Sequence, residues 1–233
     1  ANFTKNLEIT SKPHLVFLLH GYLGAHEDME KVFNVVLQKC PNARIHAIRC
    51  VSNNKTHNIE EMGEMVADEM MAEIEKSINF ISRITLVAHS LGGLIFRSAL
   101  PHLCLYKELF HTLITLGTPH LGYFHSGNRL LSLGMWVVGG IKGTPALKEI
   151  RLLDSPQLKK TTVYKLSKGK GLNWFKNVIL VGSTQDFYSP IESALIQMSD
   201  RVESNSQYKN LRKMQERLAD KLSDCNVHRL NLN

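Results

Sequence analysis

Ser90 lies in Val87-Ala88-His89-Ser90-Leu91-Gly92-Gly93, a serine followed two residues later by glycine. A serine hydroxyl attacks acyl groups only when a base takes its proton, an acid orients that base and donors receive the oxyanion. The flanking residues supply a setting for such a serine. Ile84-Thr85-Leu86-Val87-Ala88 has the composition of a buried parallel strand, and Leu91 to Leu100 reads as a helix closed by Pro101. Strand, sharp turn and helix in that order make a nucleophile elbow, which lifts the serine Oγ above the sheet edge. Positions 88 and 92 must be small because strand and helix pass close there. Ala88 stands where the usual motif has its first glycine. The plain alternative is a small-residue turn without chemistry.

Asp186 follows the apolar run Val178-Ile179-Leu180-Val181. A carboxylate in the loop at that strand's carboxyl end, after the serine in chain order, is expected to be the orienting acid; the alternative is a turn-capping aspartate. Leu91 N–H, at the start of the helix, is the expected first oxyanion donor. Tyr22 N–H, in the loop His20-Gly21-Tyr22-Leu23-Gly24, is the expected second. The base is harder to find. His228 is the only histidine after Asp186, and it falls inside Asn226 to Leu232, which reads as a final strand rather than the loop beyond it. His120, in Gly117-Thr118-Pro119-His120-Leu121-Gly122, is expected near the mouth of the site and is, with His228, a substitute base. His20 and His89 flank the site and read as packing or loop-orienting residues. The favoured reading puts the base beyond Asn233.

The elements that would carry these residues alternate. His14 to Leu19 reads as a strand. Met29, Val32, Phe33, Val36 and Leu37 recur at helical spacing up to Pro41, and Arg44 to Cys50 reads as a strand. From Ile59 to about Ile78 a long helix carries Met62, Met65, Val66, Met70 and Ile74 on one face, a core stripe rather than a cofactor site. His111 to Leu116 and Asn177 to Gly182 are further strands, and Gln207 to Leu222 is a charged helix. Strands alternating with helices imply βαβ units, a parallel sheet and right-handed crossovers. About 123–175 breaks the alternation. Its apolar run Leu130 to Val138 is too short to cross a bilayer, and insertions at strand carboxyl ends overhang the site. The insertion is therefore expected to be a cap or lid lining an acyl-chain pocket; the alternative is a helix packed on the core.

With 233 residues, 43% hydrophobic and 21% charged, the chain suits a single α/β domain over 1–233. The net charge of +7 comes without an interleaved arginine–aromatic stripe, so no nucleic-acid partner is expected. The basic residues thicken between Lys142 and Lys176, which favours contact with an anionic membrane surface or a plain solvated face. Cys40, Cys50, Cys104 and Cys225 are scattered without a CxxC pair, so zinc ribbons and thioredoxin chemistry are excluded and cytoplasmic thiols are expected. The chain starts at Ala1 without a secretory signal and reads as an excised part of something longer. Neither a metal nor a cofactor is expected.

Residues 13 to 233 resemble the eukaryotic putative serine esterases, a lipase-like branch of the α/β-hydrolases found at the C-terminus of large intracellular proteins. The resemblance rests on His20 to Gly24, His89-Ser90-Leu91-Gly92 with Ile95-Phe96-Arg97-Ser98, Leu116 to Gly122, Tyr164 to Lys168, Phe175 to Ser183, Gln185-Asp186 and Asp224-Cys225-Asn226. It implies a three-layer αβα sandwich with a mostly parallel sheet, Ser90 as nucleophile and Asp186 as acid. In the family the histidine lies after the final strand, usually followed by one last helix; that loop and helix are expected beyond residue 233. The implied substrates are lipid-like carboxylic esters, placing the chain in lipid metabolism, with peripheral membrane contact through the lid. The alternative is a catalytically inactive α/β-hydrolase scaffold that binds a lipid or protein partner.

Overall fold

In the computed structural model, which describes residues 13–123, 143–186, 188–198 and 206–233, the described strands form one sheet. They are β1 (His14–Leu19), β2 (Arg44–Ala47), β3 (Arg83–His89), β4 (Phe110–Leu116), β5 (Asn177–Gly182) and β6 (Asn226–Asn231). Their order in space is β2-β1-β3-β4-β5-β6, and every neighbouring pair is parallel. Parallel pairing puts all their carboxyl ends on one edge. The loops bearing Tyr22, Ser90 and Asp186 therefore leave the sheet on the same side.

The described helices are α1 (Glu30–Lys39), α2 (Ile59–Ser77), α3 (Leu91–Ala99), α4 (Pro145–Ile150), α5 (Thr162–Leu166), α6 (Ile191–Ala194) and α7 (Ser206–Lys221). Side chains alternate across a strand, so one sheet faces two layers. Leu15, Phe17 and Leu19, with Ile84, Leu86 and Ala88, join the large core formed with α2, α3, α4, α5 and α7. Val16, Leu18 and Val87 face the other way and meet Met29 with Val32, Phe33 and Val36 of α1. The result is the expected αβα sandwich, with its two helical layers unequal among the described residues.

Local chemistry explains most element ends. Asn58 Oδ1 accepts from Glu61 N–H (2.9 Å) while the Glu61 carboxylate accepts from Asn58 N–H (2.8 Å), a reciprocal cap that starts α2. Met62, Val66, Met70 and Ile74 are all buried, as the stripe predicts. The helix after Ser90 ends at Ala99, and 3-10 turns continue over Leu100–Leu109. Pro101 sits in their first turn, where its missing N–H costs no helical bond. The strand expected over Arg44 to Cys50 pairs only through Ala47; Ile48 N–H makes one more bond to Leu18 O (2.9 Å) before the chain departs.

Of the insertion expected over 123–175, the run Leu130 to Val138 lies outside the described residues. The described part packs on the core through Ala146, Leu147 and Ile150 of α4 and Val163 and Tyr164 of α5. Glu149 ties these helices to α2, accepting from Ile59 N–H (2.7 Å) and from the Thr162 hydroxyl (2.6 Å).

A second acid, Glu69 of α2, clamps the chain leaving β2. It accepts from the His46 ring (2.7 Å), Arg49 N–H (3.1 Å) and Cys50 N–H (2.9 Å). Burial alone would raise its pKa, but the bonds from His46, Cys50 and Arg49 outweigh that and bring it to about 2. A carboxylate depressed below its ordinary 4.5 stabilises the fold above that pH and loses the contribution as pH falls toward 2. Glu69→Gln is therefore expected to lower stability at pH 7 by about 1 kcal/mol, the half-buried carboxylate being partly screened by solvent. The difference from the parent should shrink between pH 4.5 and 2 in urea unfolding measured across that range.

Candidate active site

The turn between β3 and α3 holds Ser90 at φ 52° and ψ −123°, a left-handed backbone that serine adopts only when its surroundings impose it. Both sides do. Ser90 N–H donates to Leu116 O in β4 (2.8 Å), and Ser90 O accepts from Gly93 N–H (3.2 Å). Gly92 lets α3 lie directly on the end of β1: a Cβ there would stand 2.5 Å from His20 O and 2.9 Å from Leu19 O. Both obstacles are backbone. Gly92→Ala is accordingly expected to cost about 3 kcal/mol, at the upper end of the overpacking range, read from chemical denaturation. Its partner glycine, Gly21, brings the preceding loop against the serine. A Cβ on Gly21 would be 3.0 Å from both His89 Nδ1 and Ser90 Cβ.

The donors expected for an oxyanion flank this turn. Leu91 is the first residue of α3, where an amide has no carbonyl four residues back to bond. Tyr22 lies in the turn closed by Gly24 N–H to Gly21 O (3.2 Å), and its hydroxyl meets Thr144 Oγ1 at 2.9 Å.

Asp186 stands across the end of β4. Its Oδ1 accepts from Tyr188 N–H (2.7 Å) and Ser189 N–H (3.1 Å), which fixes the carboxylate within its own loop. Its Oδ2 is 2.9 Å from where a Cβ on Gly117 would be, and Gly117 has φ +59° with its N–H on Val181 O (2.8 Å). Leu116 thus receives the Ser90 amide while the next residue abuts Asp186. The pairing of β4 with β5 makes this wall, and no local pattern in either segment points to it.

The histidines divide clearly. His20 is buried, with Nδ1 3.0 Å from Gly21 O and Nε2 3.4 Å from Ser52 Oγ, and so orients the loop. His120, expected near the mouth, is instead wholly buried. Thr115 Oγ1 lies 3.0 Å from its Nε2, and Arg97 Nη1 lies 3.4 Å from its Nδ1 and donates to its carbonyl (2.9 Å). Burial and the Arg97 charge hold its imidazole well below the ordinary value, so it is a core group that anchors the loop after β4. His228 faces Ile179 in register, three residues before the end of β6, and is exposed there. Neither is brought to the serine turn. His89 is nearer: it shares the Gly21 contact with Ser90 and lies in the field of Asp186. Part of its surface is open to solvent, yet the crowding around it lowers its pKa through burial, opposed by Asp186 and Asp28 and reinforced by His20.

Among the described residues no group of three His, Cys, Asp or Glu side chains converges as a metal site. No helix among them is long and apolar enough to cross a membrane.

A parallel sheet that delivers a serine through a strained turn into a helix, with a carboxylate two strands further along the same edge, defines the α/β-hydrolase class. Within that class the chain belongs to the family described as Putative serine esterase (DUF676), whose model matches residues 10–222. Solved structures carry the same fold. Aspergillus fumigatus lipase B is similar over 94% of this chain and 45% of its own, at 14% identity and a TM-score of 0.61. A structure from work on two fungal esterases of Rhizomucor miehei is similar over 98% and 66%, at 14% identity and a TM-score of 0.56. Bacillus licheniformis lipase BlEst2 in its propeptide form is similar over 74% and 36%, at 19% identity and a TM-score of 0.52. The chain thus spans less than half the length of either lipase.

Proposed function

We propose that this chain is the body of a serine hydrolase that cleaves carboxylic esters of lipid-like substrates. The carrying observation is the positive-φ Ser90, pinned between Leu116 O and the first turn of α3. In the proposed reaction Ser90 Oγ attacks the ester carbonyl and a histidine takes its proton. Leu91 and Tyr22 N–H receive the oxyanion, and the alcohol leaves with the proton returned by the histidine. Water then reverses these steps on the acyl-enzyme. Asp186 orients the histidine.

The histidine is proposed to follow Asn233. Leu232 N–H bonds Gly182 O (2.9 Å) and Thr184 Oγ1 donates to Asn233 Oδ1 (2.8 Å), so residue 233 adjoins the loop of Asp186. Leu230 and Leu232 are 46% and 58% exposed, an apolar surface beside β6 that a following segment would cover. Family membership and the lipase and esterase neighbours support the ester class. The reading extends to a cytoplasmic enzyme of lipid metabolism whose 123–175 insertion touches membrane surfaces, with no nucleic-acid partner.

Fluorophosphonate labelling with an intact-mass readout tests this. The present chain is compared with one extended by about 60 residues, enough for a loop and a helix. Labelling of the extended chain alone is expected. Labelling of neither would favour a non-catalytic scaffold. Rapid labelling of the present chain, lost in His89→Ala, would overturn the assignment of the base.

A further inference from the structure

The Tyr22 hydroxyl is bound at a point well away from its own loop in sequence. Tyr22 belongs to the turn after β1, its ring packs on the large core, and its oxygen lies 2.9 Å from Thr144 Oγ1. Thr144 is a fixed point. It is 9% exposed and is the cap of α4, its Oγ1 accepting from Leu147 N–H (3.3 Å). That leaves the threonine one O–H and one lone pair for Tyr22. The helix it caps is itself held, because Glu149 bonds both Ile59 N–H at the start of α2 and the Thr162 hydroxyl of α5. A tyrosine offers two side-chain torsions between its ring and its backbone. With the ring packed and the hydroxyl tied, the Tyr22 amide has little freedom left. The rest of the loop is restrained less directly, by Asn53 N–H on Gly24 O (2.8 Å) and by Leu23 at φ 52°.

We propose that Thr144 is a positioning residue for ester hydrolysis: by holding the Tyr22 hydroxyl it fixes the loop whose Tyr22 N–H receives the oxyanion. This rests on the reading of Ser90 as nucleophile. Thr144 touches neither substrate nor reacting atoms, and acts through Tyr22 alone. An oxyanion donor contributes only if it stands where charge develops, so a loosened loop lowers kcat rather than weakening ground-state binding.

The test uses the extended chain with p-nitrophenyl butyrate, alongside fluorophosphonate labelling of the parent and melting curves of each variant. Tyr22→Phe and Thr144→Val are each expected to lower kcat roughly 10- to 100-fold, the range for a displaced catalytic group, with KM changed by less than about 2-fold. Thr144→Ser should recover most of the loss. The double variant should be no slower than the slower single one, because both remove the same contact. Loss of the α4 cap alone would lower the melting temperature of Thr144→Val while leaving kcat of Tyr22→Phe at the parent value, and that pattern overturns the proposal. So would independent, multiplying losses. An unsubstituted extended chain that is not labelled at all overturns the nucleophile reading instead, which separates the two failures.

Discussion

Ser90→Ala is expected to reduce kcat of the extended chain toward a p-nitrophenyl ester by about 10^6-fold, the loss found when a triad nucleophile is removed. The fluorophosphonate mass shift should vanish with it. The fold should be indifferent, because alanine inherits the same backbone at φ 52° and the same amide bond to Leu116 O. Among the described residues Ser90 Oγ makes no hydrogen bond whose loss would unsettle the core, so melting temperatures should agree within error. Ser90→Gly sharpens the point: glycine accepts a positive φ without strain. It should be as inactive as the alanine variant and more stable by about 1 kcal/mol. Residual turnover within 10-fold of the parent in either variant would remove Ser90 from the mechanism.

Asp186→Asn is expected to cost about 10^4-fold in kcat, with the turn intact. An asparagine oxygen can still accept from Tyr188 and Ser189 N–H, so the loop keeps its shape. What disappears is the negative charge that, in the proposed mechanism, orients the histidine and stabilises its protonated form. The kinetic signature separates this role from turn capping. A turn cap lost to asparagine would leave kcat near the parent value, whereas loss of the orienting charge lowers kcat and moves the acid limb of its pH profile downward. Measuring kcat from pH 5 to 9 in both proteins distinguishes them.

The elements that carry the site were legible because each had a local physical cause. Ile84 to Ala88 could only be a buried strand, and Gly92 marked a backbone crossing that the 2.5 Å approach to His20 O makes concrete. The methionine stripe on α2 followed from helical spacing. What was not legible depended on tertiary placement. His120 lies in a polar, glycine-flanked loop that reads as a mouth, yet Thr115 and Arg97 draw it into the core. Arg97 gave no warning, since an arginine on a helix is ordinarily at the surface. Thr144 caps α4, but its bond to Tyr22 spans 122 positions and no local pattern announces it. The abutment of Asp186 on Gly117 is of the same kind, a consequence of β4 lying beside β5 rather than of either segment's residues.

The all-parallel strand order also has a temporal consequence. Among the described strands no two neighbours are joined by a hairpin, so each pairing must await a crossover, and β4 meets β5 only after the chain from Leu116 to Asn177 has been traversed. Non-local pairing of this kind slows folding, toward milliseconds to seconds. During synthesis β1 and β3 can meet, and the Ser90 turn can close on β4, well before β5 exists. The strained serine would then be in place while Asp186 is still being made, and the site becomes complete only as the last strands dock.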